Sequence, residues 1–284
     1  MSAKVTFVGS GDAFGSGGRF NTCILVDVPG VRFALDFGAS SLIALKALGI
    51  DHNTIDAIVC THIHGDHCGG IPFLMLDAML GAKRQRPLVV GGPIGIQQGV
   101  LKMQHALFPG MERMTPRFKT DFVELETERE HEVGPLKIVT YPAVHTPETK
   151  PTSIRVSAGG KVVAYTGDSE WTRFMPALAQ DTDLLVAECY FYRKPVPFHL
   201  NYSTLVEAPA RAQGQADRLD PSGARDAGRA ECGAGALRAR WPGYRDLMRA
   251  FSAEVAFSPR PSRSCRTTAE HRMAFLRAAI LCRD

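Results

Sequence analysis

Four side chains that commonly bind divalent metals lie within six consecutive positions of the chain: His62, His64, Asp66 and His67. Neutral imidazole and carboxylate are preferred ligands of zinc and related divalent ions. Because alternate residues at the end of a strand point to the same side, His62 and His64 can reach one ion together. Asp66 and His67 follow a turn at Gly65 and can face a second ion. The spacing therefore predicts a metal site.

The alternative interpretation of this motif is a polar loop with a chance run of histidines. The chain has nine histidines in 284 residues, so four ligand-type side chains in six positions favour a metal site. Two later residues have suitable chemistry and follow predicted strands, His145 and Asp168. Taken alone, His145 reads as a capped strand end and Asp168 as a turn aspartate. Beside the histidine cluster, both become candidate ligands.

The elements that must position these residues alternate between strands and helices. Apolar patterns predict strands at residues 4–9, 22–28, 31–37, 56–61, 87–90, 122–125, 136–145, 153–156, 161–166 and 183–188. Helical spacing predicts helices at residues 39–48, 71–80, 94–107 and 171–179. The many early strands favour an α/β sandwich over a doubly wound sheet. The glycine-rich residues 9–15 lack the lysine of a phosphate-binding P-loop and are interpreted as a tight loop near the site.

Residues 1–207 resemble the metallo-β-lactamase superfamily, in its ribonuclease Z-like phosphodiesterase branch. The resemblance is carried by the motif His62-x-His64-x-Asp66-His67. Other matching positions follow in the family's order: Gly9-Ser10-Gly11, Asp36, His145 and Gly167-Asp168. The resemblance implies a four-layer αββα sandwich with the metals at one edge of its two sheets.

The same resemblance implies a set of metal ligands and a cofactor. The first metal would be bound by His62, His64 and His145, the second by Asp66 and His67, and Asp168 would bridge the two. Zinc is expected from the ligand types, with two ions per chain, and manganese or iron are the alternatives.

A later segment implies a catalytic histidine. Residues 187–191 and 199–204 are similar to the family segment whose histidine faces the scissile phosphate, and Glu188 and His199 match it. The resemblance thus assigns His199 to the substrate, while Asp66 would also orient the attacking hydroxide. The alternative interpretation of His199 is a partly exposed loop histidine after Pro195 and Pro197.

The expected function is that of a binuclear metal-dependent hydrolase, a phosphodiesterase that cleaves a small or cyclic phosphodiester with a metal-activated hydroxide. Only 23 positions separate His145 from Asp168, too few for the long arm that tRNA-processing members carry there. Residues 1–207 hold 19 basic and 21 acidic side chains. This balance does not provide the excess of positive charge with which proteins bind RNA. The remaining alternatives are a tRNA 3′-processing-type endoribonuclease, a lactone, thioester or sulfate-ester hydrolase, and a degenerate inactive member.

The last 77 residues differ in composition from the rest. Residues 208–284 have 17 alanines, 14 arginines and no lysine. The family supplies one more metal-binding histidine from a late strand, but no histidine occurs between His199 and His271. We therefore predict a hydrolase core over 1–207, and an atypical Ala/Arg-rich segment over 208–284 that is poorly ordered or frameshifted. Synonymous codons from Gln213 allow the next frame to encode a strand ending in Thr-His, so we favour the frameshift and predict a weakened second metal site.

The cysteine content and the pattern of apolar residues bear on the cellular compartment in which the chain is expected. Seven cysteines without regular spacing argue against a disulfide framework and favour a reducing cytoplasm. The N-terminus reads as a strand rather than a signal peptide, and no run approaches the roughly 18 apolar residues of a membrane span. We expect a cytoplasmic chain with a small-molecule substrate and no membrane partner. The oligomeric state is left open, with a homodimer among the alternatives.

Overall fold

The computed structural model describes residues 3–205 together with two strands at 255–256 and 278–282. In this part of the chain the strands are β1 (Lys4–Gly9), β2 (Cys23–Val28), β3 (Val31–Leu35), β4 (Ala57–Val59), β5 (Leu88–Pro93), β6 (Thr120–Leu125), β7 (Glu130–Val133), β8 (Leu136–Pro142), β9 (Thr152–Ala158), β10 (Lys161–Tyr165), β11 (Leu184–Cys189), β12 (Val255–Ala256) and β13 (Ala278–Cys282). The helices are α1 (Ser41–Ala47), α2 (Gly65–Cys68), α3 (Ile71–Leu80), α4 (Ile96–Leu107) and α5 (Met175–Ala179). None of these helices combines the length and apolar character that a membrane span requires.

The strands form two mixed sheets. The first has the order β12-β1-β2-β3-β4-β5-β6, and the second has the order β13-β11-β10-β9-β8-β7. In the first sheet β3, β4, β5 and β6 run parallel to one another. In the second, β10, β11 and β13 are parallel, while β7, β8, β9 and β10 are antiparallel. Parallel strands share the edge at which they end, and the 62–67 motif and Asp168 follow such ends.

Three apolar cores lie between the four layers of the described part of the molecule. The core between the sheets contains Phe33 from the first sheet and Tyr165 from the second, both buried. A second core packs α1, α3 and α4 on the outer face of the first sheet, with Phe37 and Leu74 among its buried residues. A third, smaller core places α5 on the second sheet through Leu178. This is the αββα sandwich expected from the family resemblance.

Several predicted elements need correction. The strand predicted at 87–90 continues to Pro93, and the helix predicted at 171–179 begins at Met175, where Pro176 occupies the first turn. The sequence patterns missed α2, which is a single turn, and β7. Since β7 is an edge strand with a largely exposed Glu-His-Glu-Val sequence, it has no apolar run to detect.

The late strand next to β11 is a further correction. Because the chain lacks the family's late strand that ends in a histidine, we expected one sheet to lose a buried member, but β13 pairs in parallel with β11, from Leu185 opposite Ala278 to Cys189 opposite Cys282. Its five uncharged residues form the continuous run typical of strands inside parallel sheets. A second short strand of this part of the chain, β12, pairs antiparallel with β1. His271 and the codons around Gln213 lie outside the described residues.

Candidate metal centre

The candidate ligands lie where strands of both sheets end at one edge of the sandwich. The 62–67 motif follows β4, His145 follows β8, and Asp168 follows β10. The two sheets are joined at this edge, because the Thr61 carbonyl accepts hydrogen bonds from the Thr152 N–H at 3.0 Å and its hydroxyl at 2.9 Å. All the predicted metal-binding residues are buried except His64, which is half-buried. The structure therefore brings all six predicted metal-binding residues to one place.

Three histidine nitrogens form the first group. Nδ1 of His64 lies 3.0 Å from Nε2 of His62 and 3.2 Å from Nε2 of His145. Burial lowers the pKa of all three imidazoles below the ordinary histidine value, well below in the case of His62. Neutral imidazoles whose nitrogen atoms converge form a donor set suited to a divalent ion.

Hydrogen bonds behind these rings determine which nitrogen faces the group. Nδ1–H of His145 donates to the Phe198 carbonyl at 3.2 Å. Nδ1 of His62 lies 2.9 Å from the Thr61 hydroxyl, which itself donates to Asp36. Both rings are thus held with Nε2 toward the site, as is usual for metal-binding histidines.

A second group surrounds His67. Its Nδ1–H donates to Asp36 Oδ2 at 2.6 Å, and its Nε2 lies 3.4 Å from Asp168 Oδ1 and 3.5 Å from Asp66 Oδ2. That Nε2 is buried and makes no hydrogen bond. A buried nitrogen that faces two carboxylates without a hydrogen bond fits a site for a cation, because a bound cation would satisfy all three groups.

The charges around His67 also favour a bound cation. Burial disfavours protonation of this ring, but the negative charges of Asp168 and Asp36 outweigh burial and raise its pKa well above the ordinary value. The carboxylates therefore attract positive charge to this position, and a proton or a metal ion can supply it. Asp168 belongs to two groups of side chains that could bind a metal ion. One group also contains His62 and His67, and the other contains His145 and His199.

Two close backbone contacts keep the motif in place. A Cβ atom on Gly38 would lie 2.1 Å from the carbonyl oxygen of Asp66, so only glycine fits there. Gly167 has a φ of +60°, and a Cβ on it would lie 2.9 Å from Thr61. Gly65, which we predicted to lie in a turn, is instead the first residue of α2, and His64 precedes it as the N-cap.

His199 lies at the same edge, next to the ligands. Its Nδ1 is 3.1 Å from both carboxylate oxygens of Glu188, which is fully buried, and 3.8 Å from Asp168 Oδ2. The Tyr190 ring lies 4.5 Å from the imidazole, centroid to centroid. The structure thus brings His199 to the site as the resemblance implied, within reach of either a metal or a bound substrate.

Sequence reasoning missed two residues that support the ligands, Thr61 and Phe198. Both act through a hydroxyl or a backbone carbonyl, and these groups leave no recognisable pattern in a sequence. Phe198 has a φ of +70°, a conformation that non-glycine residues seldom adopt. Its carbonyl is thereby aimed at His145.

Comparison with known proteins agrees with this geometry. Curated relatives include ribonuclease Z of Lachnospira eligens, 32% identical over 114 residues that make up 40% of this chain and 35% of that protein. Ribonuclease Z of Methanothermobacter thermautotrophicus is 37% identical over 95 residues, 34% of this chain and 31% of that protein. The chain therefore spans about a third of the length of the curated relatives it matches.

Solved structures share the fold. Human tRNase Z, short form, is superimposable with a TM-score of 0.60 and 19% identity, over 73% of this chain and 89% of that chain. The metallo-beta-lactamase fold protein YhfI from Bacillus subtilis gives a TM-score of 0.56 and 22% identity, over 71% of this chain and 78% of that chain. At these identities the likeness establishes the metallo-β-lactamase fold alone.

A family model described as Anti-Pycsar protein Apyc1 matches residues 3–217, well over half of the chain. This match contains the whole 62–67 motif, His145, Asp168 and His199. With the shared fold and the ribonuclease Z relatives, it shows that the chain belongs to the Apyc1 family, a ribonuclease Z-like member of the metallo-β-lactamase superfamily.

Proposed function

We propose that this chain is a binuclear metal-dependent phosphodiesterase that hydrolyses a small or cyclic phosphodiester. The observation that carries the proposal is the position of Asp168, whose carboxylate is shared by two groups of potential ligands at the edge of both sheets. A carboxylate between two imidazole groups is the arrangement that a bridging ligand requires. The ribonuclease Z name of the relatives adds support for cleavage of phosphodiesters.

The proposed ligand sets follow the two groups described above. The first ion would be bound by His62, His64 and His145, the second by Asp66 and His67, with Asp168 shared. Zinc suits these nitrogen and carboxylate donors, and we propose it as the resident ion. The Asp36 carboxylate and the Phe198 carbonyl would fix the orientation of one ligand in each set.

Individual residues of this chain would then have separate roles in the hydrolysis. Bound divalent ions lower the pKa of water and neutralise charge that develops on phosphorus. Asp66 would accept a hydrogen bond from the attacking water and orient its lone pair. Glu188 holds the imidazole of His199 beside Asp168. Protonated His199 would stabilise the phosphoryl oxygens or donate a proton to the leaving oxygen.

The substrate is proposed from what lies between His145 and Asp168. This interval contains a short 3-10 turn, Pro147–Thr149, followed by β9 and β10, which are both paired inside the second sheet. Gly159 and Gly160, both at positive φ, connect the two strands. Among the described residues nothing in this interval projects to hold a long RNA, which supports a small substrate such as a cyclic nucleotide.

A tRNA 3′-processing activity is the second candidate, because the curated relatives are named ribonuclease Z. A panel assay separates the candidates. The metal-loaded full-length chain would be given cyclic AMP, bis(p-nitrophenyl) phosphate, a tRNA precursor, a lactone and a thioester, with and without chelator.

We expect hydrolysis of the first two compounds, abolished by chelator and by His62→Ala. Exposed His105 on α4 provides a matched control, His105→Ala, which should keep both metal and activity. Full activity after removal of metal would contradict the proposal. Preferred cleavage of the tRNA precursor would favour the second candidate.

A further inference from the structure

Glu170, two positions after Asp168, is hydrogen-bonded to both segments that surround the His145 ring. Its backbone N–H donates to the Val144 carbonyl at 2.9 Å, and its carboxylate Oε1 accepts the Phe198 N–H at 2.7 Å. The Phe198 carbonyl in turn accepts Nδ1–H of His145 at 3.2 Å. Because Val144 and His145 are consecutive, these three hydrogen bonds close a ring that contains the His145 side chain.

Phe198 is the part of this ring that depends most on its partners. Its φ of +70° is a left-handed conformation that costs free energy at a non-glycine residue and persists only where the surroundings hold it. The side chain is 42% exposed, so packing fixes it only in part. Without the Glu170 carboxylate the peptide can relax to negative φ, and its carbonyl then leaves His145.

The neighbouring His199 is held independently of Glu170. Its Nδ1 lies 3.1 Å from both carboxylate oxygens of Glu188, which is fully buried. Glu188 also accepts the backbone N–H of Leu200 at 3.2 Å, so this segment keeps a second anchor. Loss of the Glu170 carboxylate should therefore act mainly on His145.

A purely structural role for this carboxylate accounts less well for its contacts. Glu170 is half-buried and its bond to the Phe198 N–H lies at the surface, so both groups reach water when they separate. No buried polar group is left unsatisfied, and the cost to global stability is small. The orientation of the His145 ring is what the carboxylate controls, and metal affinity depends on such orientation.

We propose that Glu170 is a positioning residue of the metal centre and that it fixes the His145 imidazole as a ligand through the Phe198 peptide. This inference rests on the proposed function, since it takes His145 to bind the first ion. The carboxylate acts through the Phe198 backbone and is not itself a ligand. It keeps Nδ1–H of His145 on the Phe198 carbonyl, so that Nε2 faces the ion.

The test measures the zinc affinity of full-length variants by competition with a chromophoric chelator. Glu170→Ala removes the acceptor, whereas Glu170→Gln retains an acceptor oxygen. The matched control is Glu112→Ala, in the segment between α4 and β6, which carries none of the candidate ligands. There the Glu112 carboxylate accepts the N–H of Gly110, another residue with positive φ, at 3.0 Å.

We expect Glu170→Ala to weaken the tight zinc site by about 10-fold, the low end of the range for residues that support metal ligands, because the backbone contact to Val144 remains. Glu170→Gln and Glu112→Ala should bind zinc as the wild type does. All three metal-free variants should unfold at the wild-type denaturant concentration. Added to His145→Ala, Glu170→Ala should change zinc affinity by less than about 2-fold, whereas added to His199→Ala it should retain its full effect.

Nuclear magnetic resonance of the metal-free chain gives a readout that does not depend on zinc. The Nδ1–H proton of His145 should be protected from exchange with water in the wild type and in Glu170→Gln. It should exchange rapidly in Glu170→Ala. A general loss of stability would not expose this one proton selectively.

Failure of this inference is distinguishable from failure of the proposed function. An equal loss of zinc affinity from Glu170→Ala with and without His145, or an unchanged Nδ1–H, would overturn the inference and leave the proposed function standing. Hydrolysis is measured separately, on bis(p-nitrophenyl) phosphate. A wild type that binds zinc tightly but leaves this ester and cyclic AMP intact contradicts the proposed function, and the zinc comparison still decides the role of Glu170. A wild type that binds no zinc overturns both.

Discussion

The carboxylate of Asp36 and the imidazole of His67 are joined by a 2.6 Å hydrogen bond between two fully buried side chains. Asp36 also accepts the backbone N–H of Thr61 at 2.7 Å. One carboxylate thus orients a candidate ligand of the second group and anchors the start of the 62–67 motif. Its own φ of +58° is a conformation that aspartate tolerates better than most residues.

We expect Asp36→Asn to weaken metal binding without removing a ligand. The amide is a poorer acceptor for the His67 N–H, so the ring loses its fixed orientation. The affinity for zinc should fall by about 10- to 100-fold, as found for residues that support metal ligands. Competition with a chromophoric chelator measures the change. The control is Asp27→Asn, which removes a carboxylate paired with Arg32 on β2 and β3 and should leave zinc affinity intact.

His199→Ala should reduce turnover while the bound metal stays unchanged. The reason is its proposed place on the substrate, held by Glu188. Loss of a general acid or of charge stabilisation typically costs about 10²- to 10⁴-fold in rate. Metal content would be measured by elemental analysis next to kcat. A variant that loses one equivalent of metal would show instead that His199 is a ligand, a role its place beside His145 and Asp168 also permits.

Titration of the metal-free chain with zinc should give one tight and one weak equivalent. The proposed first site has three imidazoles and the shared Asp168, whereas the second has Asp66, His67 and Asp168. With only one imidazole, the second site leaves a coordination position to water. Calorimetry would count the equivalents. Two tightly bound ions, together with ordinary phosphodiesterase turnover, would contradict the expectation and show that another group completes the second site.

Gly38→Ala should destabilise the fold. The added methyl group would lie 2.1 Å from the Asp66 carbonyl oxygen and 2.4 Å from the Asn21 Cβ, so the backbone around the motif must shift. Overpacking of this kind typically costs about 1–3 kcal/mol. The matched variant is Gly65→Ala, where a Cβ meets no atom within 4 Å. Denaturant unfolding should separate the two variants, and equal stabilities would contradict the close approach of Gly38.

The histidine motif was accessible from sequence because its ligands are close together and their chemistry is local. His145 and Asp168 were found through their places after predicted strands and through the family resemblance, and His199 was found through the resemblance alone. Phe198 was missed because its role lies in a backbone carbonyl. The short edge strand β7 was missed for a different reason, since it has few apolar residues. The strand β13 was missed because its five residues lie within an alanine- and arginine-rich segment.

The hydrogen bonds between Thr61 and Thr152 bear on how the chain folds. These residues are 91 positions apart, and one belongs to each sheet edge. The candidate ligands near positions 62, 145 and 168 must meet before a metal could be bound by the proposed set, so the site is built from contacts of very high sequence separation. Such contacts slow folding, because the entropy of closing long loops is lost before the contacts form. The metal centre is therefore expected to assemble late in folding, after the two sheets have docked.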